Sequence, residues 1–258
     1  MNKTALITGA SNGIGLELAR IHAKTGGDLV LVARHVDRLE ALKFELTKLH
    51  NTNVYIIGKD LSVPNAAKEV YNELKEQEIE IEYLINNAGF GEFGEFRATS
   101  WEKESAMIQL NIITLTHFTK LFLPDLLKKN QGKIMNVASI AAFLPGPYMA
   151  VYFATKSFVL HFSEAINEEI RNSEVTITAF CPGPTATGFM KVASMENSKM
   201  IKGKKLPTAD EVAKQGYVAM IQGVSVSIPG LLNNIMATSV RFVPRNLIVK
   251  LMRWMQGI

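Results

Sequence analysis

The hydrophobic positions of this chain follow two alternating rhythms. Short runs of β-branched and aliphatic residues lie at 4–8, 29–33, 54–57, 83–86, 133–139 and 175–181, each of a length suited to a buried strand. Between them apolar residues recur at helical spacing, as with Leu39, Leu42, Leu46 and Leu49 between the second and third runs. Strands that alternate with helices in this way are covered on both faces, which predicts an α/β fold: a Rossmann-type, doubly wound parallel sheet flanked by helices. Helical rhythm also marks 149–170, through Val159, Phe162, Ile166 and Ile170, and 231–258, with a break at Pro244. No linker, repeat or low-complexity tract divides the pattern, so 1–258 reads as a single domain. The segment 184–207 is polar, rich in Met, Ser and Lys and poor in strand signal, and is expected to be a mobile substrate loop with helical pieces.

Composition narrows the classes. With 47% hydrophobic and 20% charged residues over 258 positions, the chain can bury a large core and is not a disordered polymer. The net charge is +4, yet the cations are scattered among nearly as many acids and no run of five basic residues occurs. No nucleic-acid partner is therefore expected, while a mild positive balance suits a phosphate-bearing cofactor. Cys181 is the only cysteine, which rules out an intrachain disulfide, and no Cys/His set has zinc spacing, so metal-free chemistry is expected. The first residues lack the features of a secretory leader, making the cytoplasm the default location.

Candidate chemistry begins directly after the first strand. The run TGASNGIG at 8–15 brings Gly9, Ser11, Asn12, Gly13, Ile14 and Gly15 to a strand-to-helix turn, where glycines allow close backbone approach and the helix N-terminus attracts a pyrophosphate. The spacing departs from the usual Gly-x-Gly-x-x-Gly, so position in the fold carries more weight than the glycines themselves. At the end of the second strand a carboxylate would hold an adenosine ribose; here Ala33 and Arg34 stand instead. A guanidinium there pairs with a 2′-phosphate, which favours NADP(H), unless Arg34 is simply a solvated cation. Asp37, three residues on, is expected in the first turn of the next helix and pointing away from the ribose.

Tyr152 and Lys156 are four apart in the helical stretch 149–170, so a phenol and an ammonium share one face. The cation is expected to draw the phenol pKa from about 10 towards neutrality. Ser139 closes the fifth run, thirteen residues before Tyr152, at the sheet edge where open α/β folds bind ligands. Tyr148 lacks a lysine four residues on and reads as pocket wall.

In order and spacing these residues resemble the short-chain dehydrogenases/reductases. The likeness rests on TGASNGIG, Asp60 with Leu61, the run Asn86 to Gly89, Asn111, Ser139, Tyr152 with Lys156, and the segment from Pro182 to Thr187. It implies that Ser139 hydrogen-bonds the substrate oxygen, Tyr152 exchanges its proton, Lys156 binds the nicotinamide ribose, and Asn111 completes a proton relay through water. It also implies cofactor contacts from Asp60 and Leu61 near the adenine, from Asn87, Ala88 and Gly89 along the adenosine ribose, and from Pro182, Gly183, Thr185 and Thr187, the threonines near the nicotinamide amide. Asn86 and Asn87 serve equally well as ties between strands, and Asp60 as a helix cap. Family members commonly pair through the equivalent of 149–170, so a homodimer or homotetramer is expected.

Loops after the fourth, fifth and sixth strands carry Phe90, Phe93, Phe96, Phe143, Leu144, Pro145, Met149, Phe189 and Met190, which points to a lipophilic portion of a carbonyl or alcohol substrate. A ketone substrate of steroid-like or 3-oxoacyl type is what the chain's resemblance, within the family, to hydroxysteroid and long-chain 3-oxoacyl-CoA reductases implies. In the tail, Leu247, Leu251 and Met255 are set against Arg245, Lys250 and Arg253. Such a helix can cap the subunit, pack on a partner or lie on an anionic bilayer. The leading reading is an NADP(H)-dependent oxidoreductase; the alternative is a catalytically silent NADP-binding regulatory or membrane-associated protein.

Overall fold

The computed structural model describes residues 3–193, 203 and 205–257. Seven parallel strands form one sheet in the order β3-β2-β1-β4-β5-β6-β7: β1 (Thr4–Thr8), β2 (Asp28–Ala33), β3 (Val54–Gly58), β4 (Tyr83–Asn86), β5 (Gly132–Val137), β6 (Val175–Phe180) and β7 (Val226–Ser227). Successive side chains on a strand point to opposite faces, and here both faces are apolar. Ile7, Leu29 and Leu31 pack with α1 (Gly13–Lys24), α2 (Val36–His50) and α8 (Ala209–Ile221). Their neighbours Leu6, Val30 and Val32 pack with α3 (Ala66–Glu76) and α5 (Leu115–Lys129) on the other side. This double burial explains why the strands read as short continuous apolar runs. The strand order reverses between β1 and β4, and a crevice opens at their C-terminal ends.

The remaining helices shape that crevice. α4 (Trp101–Ile108), a π-helical turn (Gln109–Thr114) and α5 run on without a break. Together they are long and apolar enough to cross a membrane, yet Phe118, Phe122 and Leu126 of this segment are buried against the sheet. α6 (Ala150–Glu169) carries the central tyrosine and lysine, α7 (Phe189–Val192) follows β6, and α9 (Leu231–Ser239) and α10 (Arg245–Gln256) end the described chain with Pro244 between them.

Several expectations change. The fifth strand stops at Val137, not Ser139, because the Ser139 hydroxyl accepts a 3.1 Å hydrogen bond from the Ala141 N–H and opens a 3₁₀ turn, Ile140–Phe143. The sixth strand stops at Phe180, one residue before Cys181. β7 has two half-buried residues, too few to show an apolar run. Within 184–207, α7 supplies a helical piece, whereas residues 194–202 and 204 lie outside the described residues. On α10 the inward stripe is Ile248, Met252 and the half-buried Met255; Leu247 and Leu251 are more than half exposed. The helix carries two apolar stripes, and the one that meets the cluster around Tyr152 is buried.

Candidate active site

One crevice of about 410 Å³ gathers most of the expected site residues. Gly9, Ser11, Asn12, Gly13 and Ile14 line it between β1 and α1. Gly9 has φ 67° and Gly13 φ 57°, a region that side chains avoid. A Cβ on Gly9 would lie 3.0 Å from the Ala88 backbone. Asn12 caps α1, its Oδ1 accepting from the Gly13 N–H at 2.7 Å. Gly15 does not line the crevice; its bare Cα lets α1 close on the turn, since a Cβ there would stand 2.5 Å from the Gly9 carbonyl oxygen.

At the β2 end Arg34 lines the crevice and makes no ion pair among the described residues, while Asp37 sits in the first turn of α2 and does not line it. His35, Arg38 and Lys59 also face this end, none of them expected from the sequence. Arg38 follows Arg34 by four residues, a spacing that was a usable signal. Asp60 lines the crevice but caps no helix: its Oδ1 accepts from the Ser62 N–H at 2.9 Å and the Ser62 hydroxyl at 2.6 Å, holding the turn after β3. Burial works against its ionisation, but the Ser62 hydrogen bonds and the charge of Arg34 prevail and hold the carboxyl below its ordinary pKa.

Leu61, Asn87, Ala88, Gly89, Pro182, Gly183, Thr185 and Thr187 line the crevice as expected. Asn87 also ties strands, donating to the Thr8 carbonyl at 2.8 Å. Asn86 is a tie alone, donating to Asn136 Oδ1 at 2.9 Å. Asn111, in the π-helical turn, is 1% exposed and lies behind the wall. Its amide donates to the Phe90 carbonyl at 3.0 Å and Thr155 Oγ1 at 3.1 Å, and its Oδ1 accepts from the Phe90 N–H. A Cβ on Gly89 would stand 3.0 Å from Asn111 Oδ1 and 3.5 Å from Lys156 Nζ, so both groups flank that glycine.

Ser139, Tyr152 and Lys156 meet on one wall. Tyr152 is packed edge to face on Phe153 and lies 5.3 Å from the Phe189 ring. Lys156 Nζ is 5.8 Å from the Tyr152 ring centre and donates to the Val137 carbonyl at 2.7 Å. Burial pushes the phenol up to about 12, against the opposing effect of the Ser139 hydroxyl. Burial also brings Lys156 down to about 8. The phenol is thus not drawn towards neutrality in this state: the loss of water prevails over the Ser139 hydrogen bond, Lys156 donates to the Val137 carbonyl instead, and Tyr152 is a protonated donor at neutral pH.

The far end of the crevice is apolar. Phe90, Leu144, Met149, Phe189 and Met190 line it, whereas Phe93, Phe96, Phe143 and Pro145 do not. Tyr148, at φ 65°, belongs to a small separate cavity with Glu92 and Glu104. The C-terminal helices add Met236, Met252, Met255 and Gln256, which roof the crevice, a placement the sequence left open among three alternatives.

The chain is similar to known proteins in sequence and in fold. The chain is 29% identical over 224 residues to the very-long-chain 3-oxoacyl-CoA reductase of Homo sapiens, covering 84% of this chain and 67% of that protein. It is 32% identical over 220 residues to the 17-beta-hydroxysteroid dehydrogenase type 3 of Mus musculus, covering 83% and 68%. The chain thus spans about two thirds of these relatives. A short-chain dehydrogenase from Sphingobium yanoikuyae, solved in complex with NADPH, superposes with a TM-score of 0.85 at 32% identity, covering 96% of this chain and 95% of that one. Residues 3–198 match the sequence family described as short chain dehydrogenase, and the chain belongs to that family.

Proposed function

We propose that this protein is an NADP(H)-dependent reductase of lipophilic ketones, of steroid-like or 3-oxoacyl type, working as a homo-oligomer. One observation carries the reading: the glycine turn, the cations at the β2 end and the Ser139, Tyr152 and Lys156 wall open on a single crevice whose far end is apolar. The residues present fit the cofactor. A backbone cradle that a Cβ at Gly9 would fill, an α1 N-terminus with no acidic residue in its first turn, and Arg34 with Arg38 suit a pyrophosphate and a 2′-phosphate. NADPH in the Sphingobium yanoikuyae relative and the carbonyl substrates named for the mammalian relatives support the same reading.

When bound, the reduced nicotinamide supplies the hydride. The Ser139 hydroxyl orients the substrate oxygen and Tyr152, held as a phenol, donates its proton to it. Lys156 holds the ribose and stabilises the phenolate left behind, and Asn111, its side chain engaged by Phe90 and Thr155, fixes the wall behind Gly89. The apolar walls and the α10 roof exclude water, strengthening each of these charge interactions. The test is NADPH oxidation by the purified protein over aliphatic ketones, steroid ketones and 3-oxoacyl thioesters. Turnover with NADPH and one of these classes is expected; cofactor binding without turnover on any of them would favour the silent nucleotide-binding protein.

A second reading concerns location rather than chemistry. Leu231, Leu232, Phe242 and Trp254 are each more than 70% exposed on the outer side of the C-terminal helices, among Arg241, Arg245, Lys250 and Arg253, and no acidic residue follows Glu211. Charge complementarity then favours an anionic bilayer as the surface this face meets. Flotation with anionic but not neutral liposomes is expected; equal flotation would remove the role given to charge, and none would remove this reading altogether.

A further inference from the structure

Gln256 is fully buried at the end of α10, and among the described residues neither its amide nitrogen nor its amide oxygen has a hydrogen-bond partner. It is nonetheless a crevice-lining residue, one helical turn beyond Met252 and beside Met255. The surroundings offer it nothing: Met149, Tyr152, Phe153, Met252 and Met255 form the apolar cluster at this end. Leucine or methionine would continue the stripe at no cost, whereas a buried amide without partners is destabilising. Ser139 and Tyr152 are committed to the reacting oxygen, which leaves Gln256 as the remaining polar side chain among the described residues at the apolar end.

We propose that Gln256 forms a second, polar subsite, which recognises a hydroxyl group carried by the substrate at a distance from the carbonyl being reduced. A hydroxyl accepts from the amide nitrogen and donates to the amide oxygen in one ring, satisfying both orphaned atoms. A thioester or ketone oxygen satisfies only the nitrogen. This rests on the reductase reading above and sharpens it: the preferred substrates are hydroxyketones, and plain 3-oxoacyl chains are second best. A site built to bond a hydroxyl rejects the analogue that lacks it, because the buried amide is then left unpaired.

The experiment uses methyl ketones of increasing chain length, each with and without a terminal hydroxyl. For each pair, kcat/KM with NADPH is measured, along with calorimetric binding to the full chain. At the chain length that spans the crevice, the hydroxylated member is expected to win by about tenfold to a hundredfold, the effect of pairing one buried amide. In Gln256→Leu and the near-isosteric Gln256→Met that ratio should collapse towards one, with NADPH affinity retained. A ratio near one at every length, meaning Gln256 is paired by water alone, would overturn the subsite, as would a preference that survives both substitutions. Failure of all ketones to oxidise NADPH would instead defeat the reductase reading. The subsite is then decided by calorimetry, where a hydroxyl preference lost in the variants upholds it and its absence overturns it.

Discussion

Replacing Lys156 with methionine should make the ligand-free protein more stable at neutral pH while disabling it. The Lys156 side chain lies under the sheet edge, and burial lowers its pKa from 10.5 to about 8. The gap of about 2.5 pH units corresponds to roughly 3 kcal/mol for carrying the charge in the folded state at pH 7. Methionine removes that cost but leaves the Val137 carbonyl without its 2.7 Å donor, a loss of about 1–3 kcal/mol. The net gain at pH 7 is then about 1–2 kcal/mol, or roughly 2–8 °C in Tm for a chain of this size. The sign follows from linkage: a depressed folded pKa means the native state holds fewer protons between pH 8 and 10.5, so the native protein gains stability as pH rises through that window. Near pH 10 most of the variant's advantage disappears, and the unpaired carbonyl makes it the weaker of the two. Thermal unfolding of both proteins at pH 7 and pH 10 reads this directly. A variant less stable at pH 7, or a difference of equal size and sign at both values, would refute the account of Lys156 as a buried, costly cation.

Tyr152→Phe should lower kcat by about 10²–10⁴-fold with NADPH affinity intact, and its Tm should barely move because the ring keeps its packing on Phe153 and Phe189; retained activity would reassign the acid. Arg34→Asp should cut the NADPH over NADH preference in kcat/KM by at least about tenfold. Because Arg38 also faces the crevice, part of the preference should persist until Arg38→Ala is added, and equal use of both cofactors by the native protein would remove both roles. Phe158 is 41% exposed and stacked on Phe162 along α6, so light scattering at micromolar concentration should give a dimer or tetramer that Phe158→Glu reduces to monomer; a native monomer would refute the pairing.

The fold was legible because strands covered on both faces leave an unmistakable trace, short apolar runs separated by helical rhythm, as at Leu29 and Leu31 against Val30 and Val32. Site residues tied to strand ends, such as Gly9, Arg34 and Ser139, were legible for the same reason. The sequence was silent where side chains act through distant contacts. Nothing near Asn111 announces that its amide is consumed by Phe90 and Thr155, and nothing in Tyr152 with Lys156 reveals that burial raises the phenol pKa. On α10 two apolar stripes compete, and only the location of the Tyr152 cluster decides that Ile248 and Met252 turn inward while Leu247 and Leu251 stay out. That choice brought Gln256 over the crevice, though no motif pointed to it.

The π-helical turn at Gln109–Thr114 acts on phase. An α-helix advances about 100° per residue, and a wider turn delays that rotation. Before it, Met107 faces the cluster around Tyr152; after it, Phe118 and Phe122 face the sheet core. The helix thus serves two separate cores, and the wide turn sets the angle between them. Deleting one residue within 109–114 would let the turn close to α geometry with the flanking phase kept, whereas forcing all six residues into α geometry would rotate α4 by about 100° relative to α5. Met107 would leave one core or Phe118 the other, and Asn111 would swing away from Phe90. In this segment the wide turn absorbs one residue that the phase of the flanking helices does not need, and the loss of its geometry, not of a residue, is what would uncouple the two cores.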